Sequence, residues 1–457
     1  IRPKISINKC NVALRKASST SGQYGTLWSR GHETLGNDCR RIISVKGKGS
    51  TAFLQGLVTA DLLKKNDNNH NSSVDHKNVT TILPACFLDS RGRILTDALI
   101  WKKSNDSQDE EEECLYLDLP ADQDDDDSSE DLLLRHLNSY KVGRSTKHVR
   151  IQQEPNLPVH LIHGTLNDQN LPPGFLGQVD PRHPSLGVRL LQESPFSAHV
   201  KEQHFVSLIE SVTFPNSMGT YNLIRRLAGI SEGKEIAGKT PLEANQDFLQ
   251  AISFHKGCYL GQELTARANY TGVIRKRLLP CILVDTNTQI PFIWTNTKTA
   301  SDSDHSSNTS LLPIPRLGIT EAASFVSILQ GAAIRGLPAS SASTTVEHPH
   351  EETPAAVLET MEELANFAHL GSKITNKVDG RTVGEIVSTA IPGTTVVVAQ
   401  MRLDFLGMDN ETSAQKERWK ATSKVVIGDG KKELRILPYL PVWWPGKVNF
   451  ATGKEEH

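Results

Sequence analysis

Residues Lys239 to Arg267 read KTPLEANQDFLQAISFHKGCYLGQELTAR, a run that combines a helix start, two glycine turns and a cysteine. Thr240, Pro241 and Glu243 have the spacing of a helix start. The threonine can cap the third amide, the glutamate can return the bond, and the proline sits at the first helical position, where a missing N–H costs little. Phe248, Leu249 and Ile252 supply a buried face, so the spacing predicts a helix from Pro241 to about His255. Gly257 is then expected to take the positive φ of a C-terminal cap. Cys258 follows at once, Gly261 permits a second tight turn, and Gln262 to Arg267 opens the next helix. Lys256 before the cysteine and a helix N-terminus after it both favour the thiolate, the form that binds metal or attacks as a nucleophile. The competing reading is a small packed hydrophobe, as most free cysteines are. Gln262 and Glu263 can satisfy amides around the turn or meet a partner. Arg267 can pair with Glu263 one helical turn earlier.

Composition narrows the function classes. The chain has 457 residues, enough for two to three domains. Its apolar fraction of 37% is below the ~45–50% usual for globular domains, which polar insertions into a normal core would explain. No stretch approaches the ~18 apolar residues of a membrane-spanning helix. Six cysteines with no CxxC exclude a disulfide scaffold and a standard zinc finger. Residues 106–131 hold 14 acids and no Lys or Arg, which leaves 50 basic residues against 38 acidic elsewhere. That mildly basic remainder suits an anionic ligand, but it has no dense Lys/Arg stripe with aromatics, so nucleic acid is not an expected partner.

The first acid is Glu33, after Arg2, Lys4, Lys9, Arg15, Lys16 and Arg30 and a Ser/Thr cluster at 18–21. An acid-poor, Arg- and Ser-rich leader of this kind predicts a mitochondrial transit peptide and a matrix protein; the alternative is an ordinary basic tail. Four polar tracts, near 64–80, 102–131, 296–312 and 337–356, are expected as loop insertions, because they cannot bury enough apolar area to order themselves. Between them, Arg41–Val45 reads as a strand, Ser50–Leu57 as a helix with a serine cap, and Leu132–Leu137 as a helix. Cys114–Leu117 reads as a strand inside the acidic tract. Ile82–Leu88 and Ile94–Trp101 flank the turn Asp89-Ser90-Arg91-Gly92 as a hairpin. Val383–Ser388, Thr395–Leu403, Lys424–Ile427 and Glu433–Leu437 are short strands, as in a small barrel or sandwich. Trp443 and Trp444 are expected to cover the barrel end.

The run Lys256-Gly257-Cys258-Tyr259-Leu260-Gly261-Gln262-Glu263, with Arg267 beyond, resembles the KGC(Y/F)xGQE…R signature of the YgfZ family. Phe53 to Asp61 resembles the family's FLQGQxTxD segment, with Leu57 in place of the usual glutamine. Gly92 to Asp97, Tyr221 to Gly233 and Val383 to Ser388 resemble three further family segments, and the likeness runs from about residue 38 to 445.

The resemblance implies an α+β fold shared with the glycine-cleavage T-protein (GcvT-like), with two interlocked α/β lobes followed by a C-terminal β-barrel. The corresponding division is a leader over 1–37, a folate-binding region over 38–277, and a barrel domain over 278–457. Mitochondrial family members are implied to help A-type iron–sulfur scaffold proteins build [4Fe–4S] clusters, and Cys258 is the residue implied to stand beside the cluster, as its ligand. The cluster is then a transient one shared with a partner. The T-protein uses tetrahydrofolate, so folate is an implied cofactor. Asp97 and Glu210 are candidates for pterin contacts, with Lys256, Gln262, Glu263 and Arg267 completing the candidate binding set. T-proteins place two adjacent carboxylates where this chain has Thr96-Asp97, which disfavours the alternative of a folate-dependent aminomethyl or methyl transferase.

Overall fold

The structure, a computed structural model, describes residues 30–37, 39–64, 80–103, 113–121, 129–164, 175–183, 186–193, 220–286, 314–330, 369–376, 380–391, 394–406, 425–427, 433–445, 448–449 and 454–455. The leader up to residue 29, the bodies of the four polar insertions, and Glu210 lie outside these residues. Among the described residues five α-helices occur: α1 (Ser50–Gln55), α2 (Ser129–Tyr140), α3 (Thr220–Leu227), α4 (Gln262–Tyr270) and α5 (Ile319–Gln330). None is long and apolar enough to cross a membrane.

The chain separates into two compact units. The first takes residues up to 217 with Glu232–Pro241 and Gln246–Ala266; the second takes Met218–Ser231, Leu242–Asn245 and the chain from Arg267 onward. The first unit holds β1 (Arg30–Leu35), β2 (Arg40–Lys46), β3 (Thr80–Leu88), β4 (Ile94–Lys103), β5 (Cys114–Pro120), β6 (Arg150–Gln153), β7 (Val159–Gly164), β8 (Phe175–Val179) and β9 (Val188–Gln192). They form a five-stranded sheet, β3-β4-β5-β2-β6, and a four-stranded sheet, β1-β7-β9-β8. All of their pairs are antiparallel.

Side chains alternate across a strand, and this assigns the faces of β4. Ala98 and Ile100 join Ile43, Val45, Leu54, Leu115, Leu117, Leu133 and Leu137 in the hydrophobic core under α1 and α2. Asp97, Leu99 and Trp101 share the opposite face. Asp118 on β5 is directly across from Leu99 and carries its charge to that same second face. One sheet therefore buries an apolar layer on one side and a charged layer on the other.

The second unit begins its barrel with β10 (Lys276–Asp285) and adds β11 (Arg316–Leu317), β12 (Lys373–Asn376), β13 (Thr382–Ile386), β14 (Val396–Arg402), β15 (Val425–Ile427), β16 (Leu434–Pro438) and β17 (Leu440–Pro441). Six of these close as β10-β14-β13-β12-β15-β16, the β-barrel that the family resemblance implies, and not the sandwich that the strand pattern left open. Trp444 is buried there, and Trp443 donates its indole N–H to Ala228 O at 2.5 Å, just past the end of α3.

Two local expectations are corrected. Residues 241–255 form consecutive turns and not a helix. Asn245 and Gln250 each take φ 61°, the left-handed region. Gln246 N–H then reaches Pro241 O at 2.9 Å and Ala251 N–H reaches Gln246 O at 2.8 Å, with Asn245 bonding to Leu242 O and Gln250 to Asp247 O. These are two successive Schellman-type closures, each ending a helical turn as soon as it forms. The start of α1 is also not capped by Ser50, whose hydroxyl donates to Gly47 O. The Glu113 carboxylate instead accepts the Thr51 and Gly49 amides at 2.7 and 3.3 Å.

Candidate functional site

The turn after α1 and the loop that carries Cys258 are built as one piece. Gln55 closes the turn, its side-chain amide donating to Asp61 at 2.9 Å and its side-chain oxygen accepting the Leu62 amide at 2.8 Å. Thr59 donates to Ala251 O at 2.7 Å and accepts the Cys86 amide at 2.8 Å. The Ser253 amide reaches Thr59 O, and the Leu260 amide reaches Gly56 O, both at 2.9 Å. Tyr259 is buried, and burial pushes its phenol up to about 12.

The Gly257 expectation is corrected here. The positive φ falls at Gly261 (75°) and at Gly92 (79°) in the β3–β4 turn, not at Gly257. A Cβ on Gly261 would come within 2.6 Å of Asp89 O and 2.9 Å of Gly92 Cα; one on Gly92 would come within 2.7 Å of Gly261 O. The two turns meet glycine to glycine. A Cβ on Gly257 would meet nothing within 4 Å.

Cys258 is exposed on this loop. Lys256 is buried. It does not stand beside the thiol as an unshared cation, because its ammonium donates to Gln55 O, Val58 O and Ala60 O at 2.6, 2.7 and 2.7 Å. Burial lowers the lysine to about 8, against the pull of Asp61. Gln262 opens α4, and its side-chain oxygen accepts the Tyr259 amide at 3.4 Å. Glu263 and Arg267 are both exposed on α4, and Arg267 falls in the second unit. Among the described residues no three His, Cys, Asp or Glu converge on a metal position. Cys86 and Cys281, by contrast, are fully buried. A thiol reagent at pH 7 is expected to label Cys258 on the order of 100-fold faster than these two, which require the structure to open first. Mass spectrometry of the quenched reaction reads the rates, and equal labelling would contradict the exposed position.

Asp97 stands elsewhere, in the charged layer. That layer contains a closed ring that sequence reasoning missed. Arg40 pairs with Asp118 at 2.6 Å, and Asp118 with Arg189 at 3.0 Å. Arg189 pairs with Asp180 at 2.7 Å, and Asp180 with Arg182 at 2.8 Å. Arg182 pairs with Glu232, and Glu232 returns to Arg40 at 3.1 Å. All six side chains are buried. Burial alone would raise the Asp180 carboxyl, but Arg182 and Arg189 outweigh it and hold the group well below the ordinary carboxylate range. Partners in the ring come from segments up to 192 residues apart, and no local motif marks them.

Asp97 is a fourth carboxylate beside this balanced ring. One of its oxygens accepts the Gly233 amide at 2.8 Å. Burial and the neighbouring Glu232 raise its pKa to about 6, with Arg40, the Gly233 amide and Arg182 acting in the other direction. A carboxyl raised on folding binds its proton more tightly in the native state, so it favours folding below ~4 and loses that contribution as pH rises through about 6. Asp97→Asn keeps an oxygen for the Gly233 amide and removes the buried charge. It is expected to gain about 2–3 kcal/mol of stability at pH 7.5, a gain that shrinks below pH 6. Urea unfolding at both pH values checks this; a loss at pH 7.5 would show the charge to be favourable where it sits.

Comparison with known proteins places the chain in a family. No family model matches the chain. A protein of Coccidioides immitis named "Iron-sulfur cluster assembly factor IBA57 homolog, mitochondrial" is 31% identical over 312 residues, 64% of this chain and 67% of the relative. The chain belongs to this IBA57 family. IBA57 homologues of the same name from Neosartorya fischeri and Dictyostelium discoideum are 33% and 32% identical, over 53% of this chain and 55% and 61% of theirs. The chain thus spans little more than half the length of several IBA57 relatives that it matches. The glycine cleavage system aminomethyltransferase T of Bartonella henselae aligns over 97% of this chain and 91% of its own, at 9% identity and a TM-score of 0.47, too loose to carry an argument.

Proposed function

We propose that this protein assists mitochondrial [4Fe–4S] cluster assembly in the matrix by lending one thiolate, that of Cys258, to a cluster carried by an A-type scaffold protein. The observation that carries this reading is an exposed cysteine on a loop bonded from several sides to the turn after α1. The cluster is cargo. The Cys258 thiol gives its proton to water, the thiolate forms an iron–sulfur bond, and one existing ligand leaves the same iron, with no net redox change. A cluster takes four protein ligands, so the others come from the scaffold or a small thiol. Anaerobic mixing with a cluster-loaded A-type scaffold is expected to give a coloured complex by size exclusion, and Cys258→Ser is expected to give none. An unchanged coloured complex from the serine variant would end this reading.

Folate binding is a second proposal, favoured by one observation in the charged layer. Asp97 and Trp101 lie on the same face of β4, and the buried Trp101 indole nitrogen has no partner among the described residues. An acceptor and a donor on one strand face are groups of the kind that hold a pterin, and Glu210, outside the described residues, is a further candidate. Tetrahydrofolate would supply a one-carbon carrier there. Thr96 is buried on the opposite face of β4 and brings no second carboxylate, which favours binding over transfer. Titration with a stable reduced folate, read by tryptophan fluorescence, is expected to show binding that Asp97→Asn weakens.

A further inference from the structure

We propose that Lys256 is a positioning residue that fixes the Cys258 loop in its outward-facing form; this rests on the reading of Cys258 as a cluster ligand. Main-chain bonds hold the loop at Ser253, to Thr59, and at Leu260, to Gly56. Among the described residues no main-chain hydrogen bond ties residues 254–258 to anything. The Lys256 ammonium alone fills that gap. Its three N–H groups meet three carbonyls of the turn after α1, at 2.6–2.7 Å. An ammonium has three donors and no acceptor, so every proton is placed and the stem has one direction to run. Its charge also lies 5.0 Å from the centre of the Tyr259 ring, on the other side of the cysteine. Cys258 is two residues from the clamp and one from the buried tyrosine, so the freedom of its backbone is set by both. A metal ligand must be held within a narrow geometry by surrounding groups. Here the holding group is a lysine that never touches the metal.

The test uses the 457-residue chain with a nitroxide on Cys258 and serine at Cys10, Cys39 and Cys114. Lys256→Met is compared with Thr59→Val, which cuts the Ala251 and Cys86 bonds of the same turn and leaves the lysine alone. The expected spectrum is restricted for the parent and for Thr59→Val, and fast-moving for Lys256→Met. If Lys256→Met does not fold, Lys256→Gln serves, with an intermediate line shape expected. A Lys256 variant with the parent line shape would overturn the proposal. In parallel, unlabelled Lys256→Met is expected to bind a cluster-loaded A-type scaffold at least tenfold more weakly than the parent. Loss of the coloured complex in Cys258→Ser together with parent-like binding by Lys256→Met would refute the positioning role and leave the ligand reading standing. A coloured complex retained by Cys258→Ser would refute the ligand reading, and the line shape would still decide what Lys256 does to the loop.

Discussion

Asp118→Ala is expected to remove about 3–5 kcal/mol of folding stability, measured by urea unfolding. Its side chain is 0% exposed, and its two carboxylate oxygens each hold one arginine, Arg40 and Arg189. Its main-chain oxygen accepts a further N–H from Arg40 at 2.7 Å. Removing the carboxylate opens the ring and leaves two guanidiniums buried with reduced compensation, and that residue of charge is what makes a broken buried pair so costly. An exposed pair gives the contrast. Arg402 and Asp404 lie 2.6 Å apart with 46% and 55% of their side chains exposed, and Arg402→Ala is expected to cost no more than about 1 kcal/mol. If both substitutions cost the same, water reaches the ring and the charged layer is not sealed.

Gly261→Ala is expected to cost about 2–4 kcal/mol, from a left-handed backbone that disfavours a side chain and a Cβ pressed into the facing turn. The 2.6 Å approach is to the main-chain oxygen of Asp89, which cannot rotate away as a side chain could. Relief therefore requires the Cys258 loop and the β3–β4 turn to separate. Gly92→Ala is expected to do comparable damage from the other side. The double variant should cost less than the sum, because one separation relieves both contacts. Gly257→Ala, with open space around it, should stay within about 0.5 kcal/mol. Thermal and urea unfolding of the four variants would check the pattern.

What could be read from the sequence depended on how local its cause is. Strand β2, the β3–β4 hairpin, helices α1 and α2 and the barrel strands β13, β14, β15 and β16 follow from periodicity and turn residues within a few positions, and they stand where expected. The segment 241–255 carries every local mark of a helix. It fails because Asn245 and Gln250 turn left-handed; asparagine is prone to that conformation, but glutamine does not announce it. Gly261 was read as a tight approach, but which glycine takes positive φ depended on a turn some 170 residues earlier. Glu113 replaced Ser50 at the start of α1 because β5, paired directly with β2, delivers its carboxylate there. The charged ring was illegible for the same reason: Arg40, Asp118, Asp180, Arg182, Arg189 and Glu232 become a set only once two sheets face each other. The signature around Cys258 was legible as a motif, yet the use made of Lys256 was not, because three main-chain carbonyls leave no trace in a sequence.

A role in cluster assembly depends most on a bond between the sulfur of Cys258 and iron. Replacing Cys258 with selenocysteine and recording selenium-edge X-ray absorption on the complex with a cluster-loaded A-type scaffold measures that bond. The predicted result is an iron neighbour in the first shell of selenium, absent before mixing. A selenium that keeps only its carbon neighbour in a complex that still carries the cluster would contradict it.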